Sequence, residues 1–137
     1  MESENRFRID HIGYITGDIT KSAKLFEKLG YKLVGEPIAD ETQKTRICYL
    51  QKKNEVMVEL VEPFATNEPM QKMLKVRGVT PYHICYEVDD IYQIVEEFNK
   101  EGWVPMFQPV NAPASGNRLI SYMFKRGVGY IEFVNKD

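Results

Sequence analysis

Two histidines, two cysteines, one tryptophan and no long apolar run are what this chain has to offer in its scarcest categories. Two cysteines without CxxC spacing support neither a disulfide framework nor a four-thiolate zinc site, and they fit a reducing, cytoplasmic setting. No stretch is apolar for the roughly twenty residues that a bilayer span needs. The polar start from Met1 to Arg6 leads into no apolar leader core, so no membrane association is expected. Excess positive charge is missing too. The formal net charge is −2, which gives no footing for nucleic acid or an anionic surface. What remains, 43% hydrophobic and 28% charged residues over a length of 137, is the composition of one ordinary domain spanning residues 1–137, large enough for a real core.

The scarce histidines are not scattered. His11 opens His-Ile-Gly-Tyr, and His83, 72 residues later, opens His-Ile-Cys-Tyr. The Asp18-Ile19 pair recurs as Asp90-Ile91, Gly30-Tyr31 as Gly102-Trp103, Pro37 as Pro109, and Arg46 as Arg118. Glu59-Leu60-Val61 recurs as Glu132-Phe133-Val134, one residue further along. Two copies do not make a solenoid; they predict a domain whose two halves face each other across a pseudo-twofold axis.

Periodicity gives each half the same elements. A strand over Phe7 to Ile15 puts His11, Gly13 and Ile15 on one face. Asp18 caps a helix with Ile19, Ala23, Phe26, Leu25 and Leu29 as its apolar stripe, closed by Gly30. Strands follow at Tyr31–Val34, Thr45–Gln51 and Val56–Val61. The second half repeats the order. Its strand is His83–Val88 and its helix is capped by Asp90, with Ile91, Ile94, Val95 and Phe98 inward. Its later strands are Trp103–Phe107, Arg118–Phe124 and Tyr130–Val134. Module one thus covers about residues 7–62, a linker helix begun by Pro69 with Met70, Met73 and Leu74 inward covers about 68–78, and module two covers about 80–137. The segment Pro109–Gly116 reads as a mobile flap over a site. The expected fold class is α+β: two β-α-β-β-β modules paired into an open eight-stranded barrel around a metal site.

A strand histidine is ordinarily a structural residue, and a strand glutamate ordinarily faces solvent. Two of each at matched places in a duplicated unit point elsewhere. His11, Glu59, His83 and Glu132 offer two nitrogens and two carboxylate oxygens, a set suited to one divalent metal ion (Co, Ni, Zn or Mn). A metal there would polarise a carbonyl and favour an enolate, while a glutamate moves a proton. Glu132 on one face and Glu59 on the other are the expected catalytic pair. Arg46, Arg118 and the adjoining Asn117 are expected to bind an anionic substrate group at the cavity edge.

The residues that carry these readings resemble the vicinal oxygen chelate (glyoxalase/bleomycin resistance/dioxygenase) superfamily. Within it, Asp10-His11-Ile12-Gly13, Glu59 to Pro63, Glu68 to Leu74, Arg77-Gly78 and His83 to Ile91 resemble methylmalonyl-CoA epimerases over nearly the whole chain. The resemblance implies His11, Glu59, His83 and Glu132 as the metal site and Glu132 as one base. It implies a 2-methylmalonyl-type acyl thioester as substrate and a homodimer as assembly. The chain departs from some epimerases at Arg46, where they carry a second glutamate; a guanidinium stays protonated and cannot serve as that base. The segment Phe124-Lys125-Arg126 also departs from the usual His-Pro-Lys. The expected function is a metal-dependent epimerase working through an enolate. The alternatives are a glyoxalase I-type lactoylglutathione lyase with the same ligand set and a non-catalytic sequestering protein, which has no need of the four ligands.

Overall fold

Strand β1 (Arg8–Ile15) alternates as expected, with His11, Gly13 and Ile15 buried and the residues between them less so. The computed structural model describes residues 6–137. Helix α1 (Ile19–Phe26) follows because Asp18 caps it, accepting from the Lys21 amide and satisfying a donor that the helix cannot. A 3-10 turn over Glu27–Leu29 and Gly30, at φ 93°, end it. Next come β2 (Lys32–Asp40), β3 (Thr45–Gln51), β4 (Met57–Pro63) and α2 (Glu68–Arg77). The remaining elements are β5 (Thr80–Val88), α3 (Ile91–Lys100), β6 (Val104–Pro105), β7 (Val110–Ala112), β8 (Arg118–Lys125) and β9 (Gly129–Asn135). The fold is α+β.

The chain divides into two compact units: Ile12–Tyr82 is one, and the chain up to His11 together with His83–Asp137 is the other. Within Ile12–Tyr82 the strand order is β2-β3-β4-β1, with β2–β3 and β3–β4 antiparallel. Helix α1 buries Ile19 and Ala23 against Cys48, Leu50, Val58 and Leu60, with Tyr14, Phe26 and Tyr31 closing the edges. Leu25 and Leu29 do not join this core; they are 65% and 59% exposed. At 100° per residue Leu25 lies well round the helix from Ile19, Ala23 and Phe26, and Leu29 falls in the 3-10 turn. In α2, capped by Asn67, no residue is fully buried, and Met70, Met73 and Leu74 are half-buried.

The other unit orders its strands β1-β5-β9-β8-β6, with β7 also paired to β8. Strands β5 and β9 are parallel, and β9–β8 and β8–β6 antiparallel. Helix α3 buries Ile91, Ile94 and Val95 against Val88, Met123 and Phe133. The repeat assigns all of β1 to the first module, whereas contacts give its opening residues to this second unit, where Arg8 pairs with Glu87 at 3.1 Å and Asp89 at 3.0 Å.

Two further expectations change. Nine strands are present among the described residues, not eight. The strand expected over Trp103–Phe107 shrinks to Val104–Pro105, and the Met106 amide just beyond it still bonds the Tyr122 carbonyl at 2.8 Å. The expected mobile flap contains β7 and a 3-10 turn, Pro113–Ser115. Val110 pairs with Ile120 and Ala112 with Arg118, and burial of Ala112 and Ser115 holds the segment down.

Candidate metal centre

Alternation along the strands sorts side chains onto two faces. In the unit built on α3, Tyr86, Val88, Leu119, Met123, Ile131 and Phe133 pack on the helix side. The residues between them point the other way. There Cys85, Ile120 and Val134 form a second apolar cluster, and His83 and Glu132 share their parity. The parallel register sets Cys85 beside Glu132 on neighbouring strands. Once β5 and β9 pair, His83 and Glu132 must approach each other.

His11, His83 and Glu132 converge. The Nε2 atoms of the two imidazoles lie 3.3 Å apart, and each is 3.0 Å from Glu132 Oε1. All three residues are buried, at 1%, 4% and 3% exposure. The rings meet edge to face, at 84°. Hydrogen bonding alone accounts poorly for this arrangement, since two ring nitrogens directed at one carboxylate oxygen then also face each other. Ligands held at about 2.0–2.2 Å from one ion stand about 3.0 Å apart at neighbouring corners of an octahedron and about 3.4 Å apart in a tetrahedron. The observed edges match that spacing, and the donor set of two imidazoles and a carboxylate suits a divalent transition metal. Burial by itself would push the Glu132 carboxyl up. The hydrogen bonds from His11 and His83 outweigh burial and hold it below the usual carboxylate range.

The environment behind His11 is polar. Its Nδ1 lies 2.7 Å from Asp10 Oδ2, and Asp10 Oδ1 lies 3.5 Å from Arg118. Burial raises the Asp10 carboxyl, but the bond to His11 and the positive charges of His11 and Arg118 bring it below its ordinary value. Arg118 also donates to the Ser115 carbonyl at 2.9 Å and to Glu87 at 3.3 Å.

In the unit built on α1, Glu59 is 3% exposed on β4, facing away from the helix. The Tyr49 hydroxyl donates to its Oε2 at 2.9 Å from the paired position on β3. Arg46 is exposed and pairs with Glu62 at 3.5 Å. Asn117 is exposed at positive φ, 62°, where it closes the turn into β8; its carbonyl accepts from Asn111 at 2.6 Å. Sequence reasoning missed Asp10 and Tyr49. Asp10 has no repeat counterpart, since Tyr82 holds the matching position. Tyr49 had a signal: Tyr122 follows it at the same spacing by which Glu132 follows Glu59.

A family model, the glyoxalase/bleomycin resistance protein/dioxygenase superfamily, matches residues 10–122. The mitochondrial methylmalonyl-CoA epimerase of Dictyostelium discoideum is 27% identical over 92 residues, covering 65% of this chain and 54% of its own. The chain therefore aligns with about half the length of that relative. Among solved structures, the methylmalonyl-CoA epimerase of Mycobacterium tuberculosis superposes with a TM-score of 0.83 at 19% identity, covering 94% of this chain and 87% of its own. A variant of the Streptomyces coelicolor epimerase, in complex with 2-nitronate-propionyl-CoA, gives 0.79 at 20% identity, with 94% and 96% covered. At these identities the two structures are likenesses of fold.

Proposed function

The chain belongs to the glyoxalase/bleomycin resistance protein/dioxygenase superfamily, and from that premise we propose that it is a metal-dependent epimerase of a methylmalonyl-type acyl thioester. The observation that carries the reading is the convergence of His11, His83 and Glu132 in a buried cluster. The sequence likeness to a methylmalonyl-CoA epimerase supports the choice of substrate. We assign His11, His83 and Glu132 as ligands and add Glu59 as the fourth, on its repeat match to Glu132 and its burial. A divalent ion held there would polarise the thioester carbonyl and acidify the neighbouring C–H.

Glu132 is the base of this proposal. Both imidazoles engage its Oε1, while Oε2 has no hydrogen-bond partner among the described residues. That oxygen takes the α-proton, leaving the substrate as its enolate. Return of a proton to the opposite face inverts the centre. Arg46 is unfit for that step, because its guanidinium stays charged and is paired with Glu62. Glu59 is the second proton carrier we propose. The Tyr49 hydroxyl donates to its Oε2 at 2.9 Å and fixes that carboxylate in place. Asn117 and Arg46, both exposed, remain the proposed contacts for an anionic part of the substrate.

The protein is taken as a homodimer in a reducing, cytoplasmic setting, in keeping with its two buried thiols. Among the described residues, no helix is long and apolar enough to cross a membrane.

The test is α-proton exchange on methylmalonyl-CoA in heavy water, with added divalent metal and with chelator. Metal-dependent exchange is expected. Brisk conversion of the methylglyoxal–glutathione adduct with no exchange on the malonyl thioester would replace this reading with the glyoxalase I-type lyase, to which the same ligands are suited.

A further inference from the structure

We infer that Asp10 and Arg118 form a positioning pair for the metal ligand His11, with Arg118 acting through Asp10. The inference rests on the metal reading above. An imidazole that offers Nε2 to an ion must have its ring turned and its tautomer fixed, and the group that accepts from Nδ1–H does both. Here that group is Asp10 Oδ2, 2.7 Å from Nδ1. The ring is 1% exposed, so no water competes for the bond.

A carboxylate rotates about two torsions and needs a holder of its own. Arg118 is placed to be one. Its guanidinium reaches Asp10 Oδ1 at 3.5 Å, on the oxygen that His11 does not use. The guanidinium is itself fixed at two other points, the Ser115 carbonyl at 2.9 Å and Glu87 at 3.3 Å. Its side chain is 18% exposed. Three protein acceptors around one planar fork leave little of it to receive an anionic ligand, so these contacts assign Arg118 to Asp10 rather than to substrate. The repeat makes the point by contrast. Arg46, the counterpart of Arg118, is exposed against Glu62, and Tyr82 stands where a second aspartate would be.

The experiment is a titration of metal-free protein with Co²⁺ or Zn²⁺ against a chromogenic chelator, alongside thermal melting of each metal-free variant. Asp10→Ala should weaken metal binding about 10–100-fold, the usual effect of removing a carboxylate behind a ligating histidine. Asp10→Asn keeps an acceptor without its charge and should lose about 3–10-fold; it carries the test if Asp10→Ala does not fold. Arg118→Met should lose about 3–10-fold and Arg118→Lys less. The double variant Asp10→Ala/Arg118→Met should bind within about twofold of Asp10→Ala alone, because the arginine has nothing left to hold. Full metal affinity in Asp10→Ala and Asp10→Asn overturns the inference, as does a double variant whose losses add. Wild-type protein that takes up no ion overturns the metal reading itself. Wild-type uptake with unchanged variants overturns only the positioning pair.

Discussion

Glu132 and Glu59 hold the same place in the two halves of the sequence, and each stands directly opposite a tyrosine on the neighbouring antiparallel strand. Tyr122 faces Glu132 and Tyr49 faces Glu59. The surroundings then part company. In the unit built on α3, the Tyr122 ring packs edge-on against His83 at 5.2 Å and near Phe107 at 5.8 Å, and Glu132 gives one oxygen to two imidazoles. In the unit built on α1, the Tyr49 hydroxyl bonds the carboxylate itself. Duplication copies positions, but a carboxylate's chemistry is set by what donates to it. One of these carboxylates has an oxygen to spare in a ligand cluster. The other accepts a phenol's hydroxyl.

The largest effect that would break this contrast is on turnover. Glu132→Gln should lower α-proton exchange about 10²–10⁴-fold while keeping part of the bound metal, since an amide oxygen still coordinates. Glu59→Gln should cost about tenfold. Proton exchange followed by NMR in heavy water decides between them, and equal losses would make the two carboxylates equivalent. The next effect is on the ion. Wild-type protein should carry about one divalent ion per chain and His83→Ala should lose most of it, with the domain still folded by circular dichroism. Unchanged metal content by elemental analysis would place the site elsewhere.

A smaller effect sharpens the Glu59 side. Tyr49→Phe leaves a buried carboxylate short of a donor and should cost about 1.5–3 kcal/mol in urea unfolding. A shift within error would mean that the phenol bond does not hold the charge. The smallest effect concerns the two thiols, one in each unit. Burial, helped by the nearby Glu59, pushes the Cys48 thiol up to about 11. Thiolate is therefore scarce at pH 8 and grows only as pH approaches that value. Native protein should react with a thiol reagent at least about tenfold more slowly than unfolded protein at pH 8. Partial urea that exposes Cys48 before Cys85 would show that the two units open separately.

Much of this was legible before any coordinates. Asp18 and Asp90 cap helices as read, because a cap is a bond to an amide three residues on. Strand β3 runs over the residues expected, Thr45–Gln51, because its alternation is local. His11, His83 and Glu132 stand out through the repeat, and in the fold their side chains lie within 3.3 Å of one another. The segment after Pro109 was misread because Gly and Pro signal a loop, whereas Val110–Ala112 fold back on β8 as a short local hairpin. Leu25 was misread by counting an apolar residue beside the stripe as part of it, although 100° per residue already sets it well round from Ile19, Ala23 and Phe26.

Order along the chain thus determined most of the elements, their duplication and the residue types capable of holding a metal. Folding settled who meets whom. His11 lies 121 residues from Glu132 and Arg118 lies 108 from Asp10. No spacing rule pairs them, because such contacts depend on which strands lie side by side and in what register. The same cause brought two imidazoles to one oxygen of Glu132, a meeting that a repeat of residue types does not contain.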